Sequence, residues 1–196
     1  MRVPVLRKLS RKYQATSLAQ LKRLLRSPYH EDRLLALVIL TRQFERADAE
    51  GEATIYDLYL ANTRYINNWD MVDCSAGAIV GAFLNGRSRA PLHRLAKSSS
   101  IWERRIAIIA TAWFIRRGEF GETLAIAKTL LGDGEDLIHK AVGWMLREVG
   151  NKDRAALEKF LRANYPKMSR TMLRYAIEKF PESDRQRYLK GQMPAR

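Results

Sequence analysis

Residues 30–40 read HEDRLLALVIL and residues 102–109 read WERRIAII, and in both stretches charged residues precede an apolar run. Leu34, Leu37 and Val38 follow the i, i+3, i+4 spacing that is typical of one face of an α-helix. The same spacing recurs along nearly the whole chain, whereas the strict alternation that indicates a β-strand is almost absent. The sequence therefore predicts an all-α fold.

The starts and stops of the helices are marked by capping residues and glycines. Predicted starts are Ser17 with Gln20, Thr54 with Asp57 and Ser100 with Glu103, and predicted stops are Gly118, Gly132 and Gly150. Helices are predicted near residues 3–13, 17–26, 29–46, 54–65, 69–84, 89–98, 101–117, 120–131, 135–149, 153–164, 169–179 and 183–190.

Short helices with tight turns between them pair naturally into hairpins. The longer members begin near residues 29, 69, 101, 135 and 169, a spacing that is typical of two-helix repeats. We therefore predict HEAT-like repeats that form a curved α-solenoid, in a single domain over residues 1–196. A globular helical domain is the alternative, because similarity between repeats is limited to patterns such as HEDRLLAL against WERRIAII.

The chain is strongly basic, with 35 Lys and Arg against 21 Asp and Glu and a formal net charge of +14. A field of this size attracts polyanions before any specific contact forms, so nucleic acid is the favoured partner over simple solvation of helix faces. No membrane association is expected, because the most apolar stretch, residues 106–115, is too short to span a bilayer.

The lone cysteine, Cys74, excludes an internal disulfide and is expected to be a small buried thiol. The N-terminal stretch MRVPVLRKLSRKYQ has no signal-peptide core or cleavage site. We therefore expect a cytoplasmic protein.

No motif for a cofactor or a metal ion stands out. His30, His93 and His139 are widely separated and have no carboxylate or cysteine at ligand spacing, so neither a metal site nor a cofactor is expected. Gly-rich phosphate loops and G-x-S-x-G are also absent from the sequence.

The stretch YINNWDMVD places an indole and a carboxylate together. Trp69 and Asp73 are four positions apart and would share one face of a helix. Trp144 similarly lies near Lys140 and Arg147. For each residue alone a structural role in packing or capping remains the alternative.

At these residues the sequence resembles the AlkD-type DNA alkylation repair proteins, a HEAT-like family of monofunctional DNA glycosylases. The stretches that carry the resemblance are RVPVLRKLSRKY, HEDRLLALVIL, YINNWDMVD, WERRIAI, LIHKAVGWMLREVG and TMLRYAIEKFP, and together they run along nearly the whole chain.

This resemblance implies hydrolysis of the N-glycosidic bond of N3- and N7-alkylated purines in double-stranded DNA, by a monomer in base excision repair. It implies that Asp73 is catalytic and that Trp69 and Trp144 line the lesion cleft. It also implies that Arg105, or its neighbour Arg104, contacts a DNA phosphate. Lys140 and Arg147 are further expected phosphate contacts.

Two features keep alternatives open. Family members usually carry helical sequence before RVPVLRK, so a short N-terminus is expected to weaken DNA binding and activity. A non-catalytic repeat scaffold for structured nucleic acid or a protein partner is therefore the second hypothesis. A lysine such as Lys140 that forms a Schiff base with an abasic sugar, giving lyase activity, is the third.

Overall fold

A computed structural model describes residues 3–192 of the chain, apart from the side chains of residues 3, 4 and 7. Every regular element within these residues is helical. The chain divides into two compact units, unit 1 (Met1–Arg89) and unit 2 (Ala90–Arg196). The predicted all-α fold is thus confirmed, whereas a single domain over residues 1–196 stays a prediction. Arg2, where the RVPVLRK motif starts, lies outside the described residues.

Unit 1 is built of helices that pack around a central one. In chain order its described α-helices are α1 (Val3–Lys12), α2 (Leu18–Leu25), α3 (His30–Phe44), α4 (Ala49–Leu60) and α5 (Trp69–Ala76). The central helix is α3, which contacts the other four. Its Leu37 and Leu40 are fully buried, and each contributes about 1.5–3 kcal/mol relative to an exposed side chain.

Unit 2 also packs around one long helix. In chain order its described α-helices are α6 (Ala90–Ala96), α7 (Ile101–Ala110), α8 (Ala112–Ile115), α9 (Gly121–Thr129), α10 (Asp136–Lys152), α11 (Arg154–Asn164), α12 (Arg170–Ala176) and α13 (Glu182–Leu189). The central helix is α10, which contacts α7, α8, α9, α11 and α12. Val142 and Leu146 of α10 are fully buried. Within residues 3–192, each helix is too short or too polar to span a bilayer.

The turn that leads into α3 is closed by a side-chain network. Ser27 Oγ accepts a hydrogen bond from Tyr29 N at 3.2 Å and donates one to Asp32 Oδ2 at 2.7 Å. The guanidinium of Arg33 donates to the Ser27 carbonyl oxygen at 2.9 Å. These bonds satisfy polar groups that a helix end leaves without intrahelical partners.

The turn that leads into α7 repeats this network. Ser98 Oγ accepts from Ser100 N at 3.1 Å and donates to Glu103 Oε2 at 2.5 Å, while Arg104 donates to the Ser98 carbonyl oxygen at 3.0 Å. The prediction that Ser100 pairs with Glu103 in a capping box is therefore wrong, because Ser98 makes that contact. The two turns thus share local structure, with Asp32 and Arg33 in the places that Glu103 and Arg104 take before α7.

The start of α4 differs from the prediction. Helix α4 begins at Ala49, where the Asp48 side chain accepts a hydrogen bond from Gly51 N at 2.9 Å. Thr54 is inside the helix, and its hydroxyl donates to the Glu50 carbonyl oxygen at 2.9 Å. The predicted capping box at Thr54 is wrong because Asp48 caps the helix earlier in the chain.

The predicted helix over residues 101–117 is divided into α7 and α8 by Thr111. The Thr111 hydroxyl donates to the Ile108 carbonyl oxygen at 2.7 Å, a bond that competes with regular helix geometry. The predicted stop at Gly118 is confirmed, because this residue has φ 79°, a conformation that favours glycine.

Gly150 does not end α10, contrary to the prediction, since the helix continues to Lys152. A Cβ at this position would clash with the side chain of Leu157, so the glycine serves close packing instead. The turn that follows is made by Asp153, whose side chain accepts from Ala156 N at 3.0 Å and caps α11.

Candidate active site and nucleic-acid interface

The N-terminal end of α5 is held in place by α3. His30 Nε2 lies 2.8 Å from Asp70 Oδ2, and Arg33 donates to Asn67 Oδ1 at 3.2 Å. The second carboxylate oxygen of Asp70 accepts from Met71 N at 2.8 Å. Asp70 therefore has a structural role in orienting the first turn of α5.

Trp69 and Asp73 lie one turn apart on α5, as the sequence predicts. Trp69 is 53% exposed, and Asp73 is partly exposed. The structure thus brings an indole and a carboxylate to one accessible side of the same helix in unit 1. This side is where a substrate would reach both groups.

The buried side of α5 is fixed by a hydroxyl pair. Ser75 Oγ donates to the Met71 carbonyl oxygen at 2.6 Å, which leaves the Tyr59 hydroxyl to donate to Ser75 Oγ at 2.9 Å. Burial raises the pKa of the Tyr59 phenol, and the negative charge of Asp73 raises this pKa further. The Asp73 carboxylate therefore lies near enough to this pair to interact with it.

Helix α5 continues directly into a π-helical turn over Gly77–Gly81. A π turn inserts an extra residue into the helix and is frequent at functional sites. Here it follows the turn that carries Asp73, and the face shared by Trp69 and Asp73 continues into Ala76 and Val80, which are fully buried. This face is therefore accessible at Trp69 and Asp73 and buried from Ala76 onwards.

Cys74 is exposed, so the expectation of a buried thiol is wrong. Its Sγ lies 3.3 Å from the Met71 carbonyl oxygen. The prediction rested on the apolar residues around Cys74. In the structure the accessible side of α5 includes both Asp73 and Cys74.

In unit 2 the two candidate arginines have different surroundings. Arg105 is 5% exposed, and its Nη1 donates to the Leu137 carbonyl oxygen at 2.6 Å. Arg104 donates from Nε to Asp133 Oδ2 at 2.6 Å and from Nη2 to Asp133 Oδ1 at 3.2 Å. Its Nη1 donates to the carbonyl oxygens of Ser98 and Ser99, both at 3.0 Å. Arg104 therefore joins two helix starts.

Lys140 is partly exposed on α10 and forms an ion pair with Asp136, with Nζ 2.7 Å from Oδ2. This hydrogen bond raises the pKa of the Lys140 ammonium. Schiff-base chemistry needs an unprotonated amine, which a raised pKa disfavours. A contact with an anion is the better match for Lys140.

Trp144 and Arg147 meet through a shared carboxylate. Trp144 Nε1 donates to Glu148 Oε1 at 3.1 Å, and Arg147 Nη2 lies 3.2 Å from the same oxygen. Arg147 also forms an ion pair with Glu178, in the turn that follows α12. The cation that the sequence places beside Trp144 is therefore held by two carboxylates.

Sequence reasoning missed Tyr59 and Ser75, because nothing in their spacing indicates that they meet. For metal binding, the described residues contain no group of three or more His, Cys, Asp or Glu side chains that could hold an ion. Two of the histidines pair singly with carboxylates, His30 with Asp70 and His93 with Glu122 at 2.5 Å, while His139 Nε2 lies 2.5 Å from the backbone carbonyl oxygen of Asp133.

Comparisons with known proteins bear on the fold and the family of the chain. The model of a family described as DNA alkylation repair enzyme matches residues 1–180. No curated protein matches the chain. A solved structure, described as a predicted DNA alkylation repair enzyme from Enterococcus faecalis, superposes with a TM-score of 0.67 and 15% identity, covering 89% of this chain and 82% of that one. Likeness at this identity shows the helical-repeat fold, and the family match shows that the chain belongs to the DNA alkylation repair enzymes.

Proposed function

We propose that the protein is a monofunctional DNA glycosylase that hydrolyses the N-glycosidic bond of N3- and N7-alkylated purines in double-stranded DNA. The observation that carries this proposal is the pair on α5, where an exposed Trp69 and a partly exposed Asp73 share one accessible side. Membership in the DNA alkylation repair family supports the substrate class.

The reaction suits a site with a single carboxylate. An N3- or N7-alkylated purine carries a positive charge and leaves as a neutral base without a proton from a general acid. Breaking the glycosidic bond develops positive charge on the deoxyribose, which the Asp73 carboxylate stabilises. The same carboxylate orients the attacking water. Release of the neutral base and addition of water to the sugar carbon, with loss of one proton from that water, yield an abasic site.

The remaining side chains bind the DNA in this proposal. Trp69 packs against the sugar and backbone of the lesion nucleotide, and within unit 2 Trp144 packs against the DNA backbone while Lys140 contacts a phosphate. Arg105 also contacts a phosphate, which requires its guanidinium to exchange part of its present hydrogen bonding.

Arg104 and Arg147 are weaker candidates for phosphate binding. Each guanidinium already bonds to carboxylates, Arg104 to Asp133 and Arg147 to Glu148 and Glu178. A phosphate would have to compete with these ion pairs, so we do not count on either arginine for DNA affinity.

The test is the mass-spectrometric detection of bases released from methylated DNA. We expect the wild type to release N3- and N7-methylated purines, and Asp73→Asn to do so about 100-fold more slowly, because an electrostatic stabiliser of the transition state is lost. The matched control is Asp57→Asn, which changes an exposed aspartate of α4 and should release bases at the wild-type rate.

The outcomes separate the hypotheses. A wild type that releases no more base than Asp73→Asn overturns the proposal. Salt-dependent DNA binding without base release favours a non-catalytic scaffold. Strand nicking that borohydride traps as a covalent complex contradicts monofunctional hydrolysis and favours a lysine-dependent lyase.

A further inference from the structure

Helices α10 and α12 lie side by side and run in the same direction. At their N-terminal ends Asp136 lies near Thr171, and further along Arg147 of α10 forms its ion pair with Glu178 in the turn that follows α12. These two contacts occur in the same order along both segments, which shows that the helices are parallel. The accessible face of α12 therefore lies next to that of α10.

Gly143 allows α12 to come this close. A Cβ on Gly143 would lie 2.5 Å from the Met172 carbonyl oxygen and 2.5 Å from the Cβ of Tyr175. The Tyr175 side chain therefore projects from α12 directly over Gly143, the residue before Trp144. Tyr175 is 36% exposed, and its phenol is near enough to Lys140 to interact with the ammonium. An accessible aromatic ring thus lies beside the cation of α10.

A positive charge occurs at an equivalent position, five residues after the N-cap, in three helices of unit 2. Counted from the N-cap residue, the fifth residue is Arg105 in α7, Lys140 in α10 and Arg174 in α12. Helix α10 packs against both α7 and α12, and the axes of packed helices lie roughly 8–10 Å apart. We refer to these three equivalent positions as the cationic row.

Arg174 is the member of this row with the most accessible charge. It is exposed and has no ion-pair or hydrogen-bond partner within residues 3–192. Arg105 is nearly buried, and Lys140 is paired with Asp136. An incoming anion would therefore meet Arg174 without having to displace a carboxylate.

We propose that Arg174 and Tyr175 extend the DNA-binding surface of α10 onto α12, with Arg174 binding a backbone phosphate and the Tyr175 ring packing on a neighbouring sugar or base. This inference rests on the proposed function, in that DNA is taken as the ligand. Arginine and tyrosine side chains are among those that contact the phosphates and sugars of duplex DNA irrespective of sequence. The net charge of +14 makes a polyanion the matching partner.

Fluorescence anisotropy with a labelled, unmodified duplex at several salt concentrations tests this surface. We expect Tyr175→Ala to weaken binding about tenfold and Tyr175→Phe to retain most of the affinity, because the ring makes the contact. Arg174→Ala should weaken binding several-fold and lower the slope of log affinity against log salt by about one. Arg116→Ala is the matched control, since this arginine is exposed and also lacks a partner within the described residues.

The slope is informative because a merely structural role would leave it unchanged. Variants of Arg174 and Tyr175 that bind as tightly as the wild type, with the same slope, overturn the inference. So does an Arg116→Ala variant that loses as much affinity as Arg174→Ala, or a wild type that binds no duplex at low salt. If the wild type binds DNA through these residues but releases no alkylated base, the inference stands and the glycosylase proposal fails.

Discussion

The hydroxyl pair beneath Asp73 makes a distinct prediction at the scale of single residues. Ser75→Ala leaves the fully buried Tyr59 phenol without its acceptor, so we expect it to lower the free energy of unfolding by about 1–3 kcal/mol. Tyr59→Phe should cost less, about 1 kcal/mol, because Ser75 keeps its bond to the Met71 carbonyl oxygen. Urea unfolding of both variants measures the difference. Equal losses would contradict the assigned direction of the hydrogen bond.

The contact between α10 and α12 makes a prediction at the scale of the helical element. Alanine is a better helix former than glycine, yet Gly143→Ala should lower the free energy of unfolding by about 1–3 kcal/mol, because its Cβ clashes with the backbone of Met172. Gly121→Ala, at the start of α9, is the control, since nothing lies within 4 Å of the added Cβ. Urea unfolding compares the two. A Gly143→Ala variant at least as stable as the wild type would refute the close contact.

The net charge of +14 dominates the prediction at the scale of the whole molecule. Each phosphate that a cation neutralises releases counterions, so the affinity for duplex DNA should fall at least about tenfold between 50 and 200 mM salt. Anisotropy titrations at several salt concentrations measure this dependence. Affinity that is independent of salt would show that apolar contacts, rather than the basic surface, hold the DNA.

Much of the fold could be predicted from the sequence because helix formation depends on near neighbours. The helical spacing of the apolar residues correctly predicts α3, α7 and α10. The predicted capping box of Ser17 with Gln20 is also present. Errors fell where several residues competed for one role, as at Thr54, where Asp48 caps the helix instead. Capping residues are common, and the spacing does not reveal which of them the chain uses.

The candidate site was less predictable than the fold. Trp69 and Asp73 share an accessible side of α5, as their spacing requires, but their roles came from resemblance and stay proposals. The sequence does not predict Arg174 and Tyr175 as site residues, because only the packing of α12 onto Gly143 brings them beside α10.

The sequence by itself determined the helical period, the repeated turn before α3 and α7, and the basic charge. These properties depend on composition or on residues within one or two helical turns of each other. Only the tertiary structure decided which cations remain accessible: Arg104 is bonded to Asp133 and Arg147 to Glu178, whereas Arg174 is unpaired within residues 3–192. The reason is physical, because an ion pair needs two side chains within about 4 Å. Which helix faces come that close depends on how the helices pack.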